Sequence, residues 1–468
     1  MSSLDCPTPF TESAFAGMRQ TGRTRIIVFG SKGPVSLEGA GGVERGIQRV
    51  VPWLLRSGFE CVIYARGRKG AWCEHDGLLY RAVRYIDSKN HACWTHSLAS
   101  FVHYVRHRRP SDIAHIHCIQ NAFLCIPLSL LGHRVIFHLH GQEWRATKWG
   151  PLMSAFMRAS VLPMLLFSVT VVTVCVESKA VLSRWFPRLS RKVIVIPNPV
   201  PQVEIKASQV NHTLGRFGLE SESYFLYVGR LVRHKRIDLI ISALKLLPNP
   251  LSLVLAGSPS HSCDYVGVLR RQVRDLKLDE RIQFTGHLTW QDLAGLYVGC
   301  RATVLMSETE GCSNTILEAL GAGCCIICSD LPENRAIAAD AALWVPCGNL
   351  QVLQTKLSLA LEQTVFNEYR DRSRLRRAQL LDDKAVAGRL LRLYQNDCMV
   401  FDPYFIVGSG RSGTTVIAAC LGQHPELLMI DEPRFLSDIL LPAAAGRLGF
   451  AEFAHLQQRD GRVDTSLL

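Results

Sequence analysis

No stretch of this sequence is long and apolar enough to cross a membrane as a helix. The longest, VLPMLLFSVTVVTVCV at 161–176, runs 16 residues and contains Pro163, whereas a spanning helix needs about 20. Its texture changes midway, from helix-like to β-branched, and predicts a helix leading into a buried strand. Residues 1–23 carry Pro, Thr, Ser and Glu but no apolar h-region, so they are not expected to act as a secretory signal. The expectation is a cytoplasmic chain, soluble or peripheral on the cytoplasmic face of a membrane.

Acidic residues are scarce in the first half. Residues 1–200 hold 25 basic and 11 acidic side chains, 201–400 hold 23 and 21, and 401–468 hold 5 and 8. The net charge of +13 therefore belongs to the first half, and the last 68 residues differ in composition. The basic runs RGRK (66–69) and RHRR (106–109) suit an anionic surface. No nucleic-acid reader motif and no aromatic-interleaved basic patch is present, so nucleic acid is not an expected partner. Zinc-ligand spacing is missing too. The 16 cysteines lie mostly in apolar runs, such as Cys175 in TVVTVCV and Cys324, Cys325 and Cys328 in GCCIICSD. Cys325 and Cys328 form a C-x-x-C, but no second Cys/His pair accompanies them, and a strand would send their side chains to opposite faces. They read as small buried hydrophobes in a reducing compartment.

What is present is globular. With 468 residues, 48% apolar and 20% charged, the chain should hold two or three domains, each burying a core. Short apolar runs alternate with helical stretches. RIIVFG (25–30), ECVIYA (60–65), DIAHIH (112–117), RVIFHLHG (134–141), VTVVTVCV (169–176) and KVIVIPN (192–198) are strand candidates, with a helix from Gly42 to Ser57 after a Gly-rich loop. The pattern repeats with SYFLYVGRL (223–231), LSLVLAG (251–257), RIQFTGH (281–287), ATVLMSE (302–308) and CCIICSD (324–330). Apolar strands separated by helices imply parallel sheets covered on both faces. The expected fold is α/β: two doubly wound, Rossmann-like domains facing a cleft, at 24–200 and 223–396. The polar stretch 201–222 is read as a linker, and the helix at 386–395 as closing the second domain.

The chemistry concentrates at strand ends of the second domain, where ligands of open α/β sheets bind. Arg230 and Lys235 leave the strand 223–229 beside Gly229, two cations suited to a diphosphate. Glu310-Gly311-Cys312-Ser313-Asn314-Thr315-Ile-Leu-Glu318 follows the strand 302–308, with Ser313 a plausible N-cap of the next helix. Its free N–H groups offer an anion site. Glu310 and Glu318 are suited instead to accepting hydrogen bonds from sugar or ribose hydroxyls.

In order along the chain, GAGGVERGIQRVVPWL, DIAHIH, HLHG, VIVIPNPV, VGRLVRHKRIDLIISAL, FTGHLTWQDLAGLYVGC, SETEGCSNTILEALGAGCCIICSDLPENRAI and DAALWVPCG resemble the family 4 retaining glycosyltransferases of GT-B architecture. The resemblance covers about 24–396, with Pro199 standing where the family has Gly after Asn198. It implies a donor nucleotide sugar, UDP- or GDP-linked, and a glycan or lipid-linked acceptor. By that resemblance Arg230 and Lys235 neutralise the donor pyrophosphate. Glu310 contacts the donor sugar with the amides of Gly311, Cys312, Ser313, Asn314 and Thr315 beside it, and Glu318 binds the ribose. Gly41 and Gly42 let the first domain close over the phosphates, and His140 lies near the reacting sugar. No Asp-x-Asp metal clamp is evident, so neither a metal nor a resident cofactor is expected. Retention by front-face attack needs no named nucleophile. The alternative is a protein that binds sugar nucleotides without turnover. The acceptor side, with its charge, is matched to a lipid diphosphate or an anionic membrane surface.

The tail carries a second resemblance. FIVG, then Gly408-Ser-Gly-Arg411-Ser412-Gly413-Thr414-Thr415, then VIAACL and HPEL, give a strand, a Gly-rich anion nest and a helix. This resembles the 5′-phosphosulfate loop of sulfotransferases that use the sulfated adenosine donor. Arg411, Ser412, Gly413, Thr414 and Thr415 would hold the phosphosulfate. Only 68 residues are present, too few for such a core. The expectation is an incomplete P-loop-like α/β segment, a truncated glycosyltransferase–sulfotransferase fusion without sulfotransferase activity.

Overall fold

The computed structural model describes residues 23–34, 41–67, 70–88, 91–145, 150–247, 251–258 and 265–395, with the backbone of 458–459 and 462–463. The chain divides into two compact units, 1–398 and 399–468. In the second, Gln458–Arg459 pairs antiparallel with Arg462–Val463. The sulfotransferase-like loop, with Arg411, Ser412, Gly413, Thr414 and Thr415, lies outside the described residues.

The first unit contains two sheets. The first is built from β1 (Arg25–Phe29), β2 (Glu60–Arg66), β3 (Ala71–His75), β4 (Leu78–Val83), β5 (Ile113–His117), β6 (Arg134–Leu139), β7 (Thr170–Thr173) and β8 (Val193–Val195). Their spatial order is β3-β4-β2-β1-β5-β6-β7-β8, parallel except for β3. Every residue of β1 and β5 is buried, as central parallel strands require. Among the helices of this lobe, α1 (Gly42–Arg56) buries Ile47, Val50, Val51 and Leu54, one face at helical spacing. Further along are α2 (Ala92–His107), α3 (Cys125–Leu130), α4 (Pro151–Ala159), α5 (Val161–Phe167) and α6 (Val176–Trp185). The stretch 161–176 is thus a helix, then a strand, and no described helix is long and apolar enough to cross a membrane.

After α7 (Ala207–Phe217) the second sheet begins: β9 (Tyr224–Val228), α8 (Ile237–Lys245), β10 (Ser252–Ala256), α9 (Tyr265–Asp275), β11 (Ile282–Gly286), α10 (Trp290–Gly299), β12 (Ala302–Leu305), α11 (Asn314–Ala322), β13 (Ile326–Ser329), α12 (Pro332–Ala338) and β14 (Ala342–Val345). All six strands are parallel, in the order β11-β10-β9-β12-β13-β14. Helices α13 (Leu350–Leu359), α14 (Gln363–Gln379) and α15 (Asp383–Tyr394) follow. The strand order reverses at β1 in one sheet and at β9 in the other, which places a ligand crevice at each reversal.

Three expectations need correction. The segment 201–222 is not a bare linker. Helix α7 docks Val210, Thr213 and Leu214 on α10, and a Cβ at Gly295 or Gly299 would crowd Thr213 or Leu214. Its buried face is narrow, three residues of which Thr213 is polar, and it packs where the partner helix presents glycine. The helix at 386–395 does not close the second lobe. Val386, Ala387, Leu390, Leu393 and Tyr394 join the first lobe's core beside α1. Arg134 donates to the carbonyls of Leu393 and Tyr394, and Tyr394 Oη meets His115 Nδ1 at 2.7 Å. The hairpin β3–β4 was not anticipated. Its two-residue Asp76-Gly77 turn has φ of +52° and +72°, the primed-turn geometry that Asp-Gly favours.

The chain therefore crosses between lobes twice, and the crossings touch. Val200 N–H donates to Leu381 O at 2.8 Å. Arg49 of α1 donates to Pro199 O at 2.9 Å and pairs with Asp383 at 2.7 Å. The cysteines described are all free thiols. Cys325 and Cys328 are fully buried, and burial pushes Cys325 up to about 12 and Cys328 further, so neither is a ready thiolate.

Candidate active site

One cleft of about 490 Å³ lies between the strand ends of the two sheets. Its lining includes Gly41, Gly42, His140, Arg230, Lys235, Glu310, Gly311, Cys312, Ser313, Asn314 and Thr315. The volume falls in the range of small-ligand sites. Eleven of the residues singled out from sequence thus converge on it. Glu318 does not line it.

On the second lobe, Ser313 caps α11, its hydroxyl accepting from Ile316 N–H. Thr315 Oγ1 donates to Val228 O at 3.0 Å, which fastens the helix start to the end of β9. The α11 N-terminus therefore points into the cleft, where its N–H groups favour an anion. Gly229 has φ +149° and leads the chain out to Arg230. Arg230 makes no side-chain hydrogen bond or ion pair among the described residues. Lys235 Nζ donates to Glu310 Oε1 at 2.5 Å. The lysine and the carboxylate assigned to different parts of a donor thus hold each other.

Glu318 is buried one turn deeper, 3% exposed. Arg45 of α1 pairs with its Oε1 at 2.5 Å, and Tyr297 Oη donates to Oε2 at 2.9 Å. The carboxylate retains lone pairs for hydroxyl donors. Arg45 was not anticipated, although it lies three residues after Gly42, on the same helix face.

On the first lobe, Glu44 accepts from the backbone N–H of Lys32 at 2.8 Å and of Gly41 at 2.7 Å, joining the two ends of the β1–α1 connection. His140 belongs to a stack of imidazoles from β5 and β6. Its ring lies 4.4 Å from that of His138, at 5°, and its Nε2 is 2.8 Å from His117 Nδ1. Burial holds His140 down at about 4 and His115 at about 3, and His117 and His138 well below the ordinary histidine range, so the stack is neutral. His115, His117 and His138 bring ring nitrogens within 4.8 Å of one another. A metal must lie in the plane of each ring, about 2.0–2.1 Å from nitrogen. Here His138 is stacked face to face on both neighbours, at 15° and 21°, and His115 and His117 are tilted by 34°, an arrangement unlike the in-plane approach a shared metal needs.

The lobes meet in contact. A Cβ at Gly311 would overlap the carbonyl oxygen of His140, and one at Gly141, whose φ is +143°, would lie 2.9 Å from Gly311 Cα. A Cβ at Gly42 would overlap the amide of Asn314. Asn198 Nδ2 donates to Asn314 Oδ1 at 3.0 Å. Gly311 and Gly141 are thus required where one lobe's backbone rests on the other's, and Gly42 makes room for the Asn314 side chain. Lys32, Arg66 and Tyr85 also line the cleft. Arg66 opens the basic run RGRK, which the sequence offered as a docking surface and not as part of the site, and Lys32 stands in a Gly-Ser-Lys-Gly run.

Residues 40–202 match the family described as Glycosyltransferase Family 4, and residues 216–378 the family described as Glycosyl transferases group 1. O-antigen chain mannosyltransferase RfbU of Salmonella typhimurium is 27% identical over 175 residues, 37% of this chain and 46% of that protein. O-antigen chain mannosyltransferase B of Escherichia coli is 26% identical over 159 residues, 33% of this chain and 41% of that protein. The matched stretch thus spans less than half the length of these relatives. Sucrose-phosphate synthase from Thermosynechococcus elongatus superimposes with a TM-score of 0.68 at 17% identity, over 80% of this chain and 98% of that one. Anabaena HepE in complex with UDP-glucose gives 0.66 at 16%, over 80% and 99%. The two glycosyltransferase family matches fall one on each Rossmann-like lobe, and the fold likeness spans both lobes, so the architecture is GT-B.

Proposed function

We propose that the chain is a retaining glycosyltransferase that moves a sugar from a nucleoside diphosphate to a glycan or lipid-linked acceptor in polysaccharide or glycoconjugate synthesis. The observation that carries this is the grouping of unpaired Arg230, the Lys235–Glu310 pair and the α11 N-terminus in one cleft, opposite His140. Breaking the bond from anomeric carbon to phosphate builds negative charge on the leaving diphosphate. Arg230, Lys235 and the amides of Gly311–Thr315 stabilise that charge most when it is fully developed, which lowers the barrier. Glu310 receives the donor sugar's hydroxyls while fixing Lys235, and Glu318, oriented by Tyr297 and Arg45, takes the ribose. HepE's complex with UDP-glucose, and the mannosyl transfer named for the O-antigen relatives, support a UDP- or GDP-sugar donor. Contact between lobes excludes water and limits donor hydrolysis.

The acceptor side fits a site of work at the cytoplasmic face of a membrane. Helices α3, α4 and α5 leave Leu130, Leu152, Leu162 and Leu166 exposed within the basic half of the chain, a combination that favours anionic lipid. For 401–468 the reading remains the phosphosulfate-type loop seen in the sequence.

The test is transfer from labelled UDP- and GDP-sugars to lipid-linked and glycan acceptors, with the anomeric configuration of product read by NMR. Label transfer with retained configuration is expected. Binding without transfer to any acceptor would leave a sugar-nucleotide-binding protein, and an inverted product would overturn the mechanism.

A further inference from the structure

Four of the cations that line the cleft divide into two kinds. Arg45 and Lys235 are matched by Glu318 and Glu310. Arg230 and Arg66 have no carboxylate partner among the described residues. The two unmatched guanidiniums stand on opposite walls, one at the end of β9 and one at the end of β2. Arg230 is exposed and is accounted for by the donor diphosphate, whereas Arg66 is half-buried, and a half-buried cation without a counter-charge is costly to hold.

Arg66 is built in rather than loose. Its backbone N–H donates to Lys32 O at 3.0 Å, which ties the end of β2 to the loop after β1, and both residues line the cleft. Its guanidinium carbon lies 5.5 Å from the Tyr85 ring centroid, and its Nε is buried without a hydrogen-bond partner. Burial and the charges of Arg230 and Arg66 all press the Lys32 amine downward, with Glu44 and Cys118 opposing. An anion there would relieve both cations.

We propose that Arg66 and Lys32 form a second anion subsite, on the acceptor wall, that takes a phosphate group of the acceptor. This rests on the glycosyltransferase reading and adds the acceptor's class: a phosphate ester, either a soluble sugar phosphate or a lipid diphosphate. Arg66 supplies a planar fork for the phosphate oxygens and Lys32 a point charge. Tyr85 buttresses the guanidinium.

The experiment saturates the protein with UDP or GDP, whichever raises its melting temperature more. It then measures calorimetric binding of glucose 6-phosphate, farnesyl diphosphate and uncharged glucose. One phosphorylated probe is expected to bind and glucose not, and the probe that binds identifies the source. Arg66→Gln should weaken that probe by about 10-fold or more, the loss of one charge-assisted contact. Arg66→Lys should restore part of it, and Lys32→Gln should weaken it as well. Nucleotide affinity should stay within about threefold in all three variants. The idea is overturned if neither phosphorylated probe binds the nucleotide-loaded protein, if glucose binds equally well, or if Arg66→Gln weakens nucleotide as much as probe. Probe binding without any nucleotide binding would sink the donor reading and leave the subsite standing.

Discussion

The first lobe buries polar groups in the middle of its sheet, whereas the second keeps its sheet almost wholly apolar. Arg25 at the start of β1 is fully enclosed and grips Asp112 through both Nε and Nη2, at 2.9 and 2.8 Å. The histidine stack crosses β5 and β6. In the second lobe β9 reads YFLYV and β13 IICS, and the charged groups stand at strand ends and at one helix start. One plan thus serves two purposes. An apolar platform presents a few cations in fixed positions for a diphosphate. A polar interior carries a surface that faces a more variable acceptor, and it brings a dependence on pH that the platform lacks.

The largest effects should come from stripping the platform. Arg230→Ala or Lys235→Ala should lower kcat/KM by about 10²–10³-fold or more, as for loss of a charge-stabilising donor, with the melting temperature little changed. Steady-state rates beside thermal denaturation would show it, and normal turnover would refute the division of labour. Gly311→Ala tests the contact between lobes. Its Cβ cannot coexist with the His140 carbonyl, so the lobes should stand apart in small-angle scattering and the rate should fall about 10²-fold through misplacement. An unchanged profile would mean that contact is dispensable.

Acid should discriminate next. In the first lobe burial holds His96, His103 and His115 at about 3 and His140 at about 4. The unfolded chain takes protons near 6.5 and the folded lobe does not, so the unfolded state gains as pH falls. Stability present above about 6.5 is therefore lost progressively toward pH 4 and 3. Hydrogen exchange at decreasing pH should open β5 and β6 before β9 and β12. The reverse order would break the comparison. The smallest effect is Asp382→Ala, which removes the cap on Ala385 N–H at 2.7 Å and should cost about 1 kcal/mol. Because α15 packs on the first lobe, denaturant melts should show that loss in first-lobe probes.

Much of this was legible because it depends on local rules. The apolar runs named eleven of the fourteen strands of the first unit, all but β3, β4 and β14, and Ser313 announced α11. Of the cleft residues, Arg230, Lys235, Glu310 and Ser313 followed from strand-end logic, and Gly41, Gly42, His140 and the amides beside Ser313 from the family resemblance. What escaped depended on distant partners. Helix α15 has an ordinary amphipathic face, and nothing in that face says which lobe receives it. Helix α7 hid because glycines on α10 accept a face of only three residues, one of them the polar Thr213. Arg45 and Arg66 look like solvent-facing arginines until the fold turns them into the cleft. The β3–β4 turn is different: Asp76-Gly77 was readable, and was passed over for its flanking residues.

The doubled crossing between lobes has a mechanical meaning. Val200 and Leu381 bind the outgoing and returning chains into one two-ply joint, and Arg49 clasps both. A pair of bodies fastened along a single seam can turn like the covers of a book but cannot slide past one another. Each swing therefore returns Gly141 to Gly311 and Arg45 to Glu318 in the same register, so the spine, and not the pages, decides that the cleft always reassembles alike.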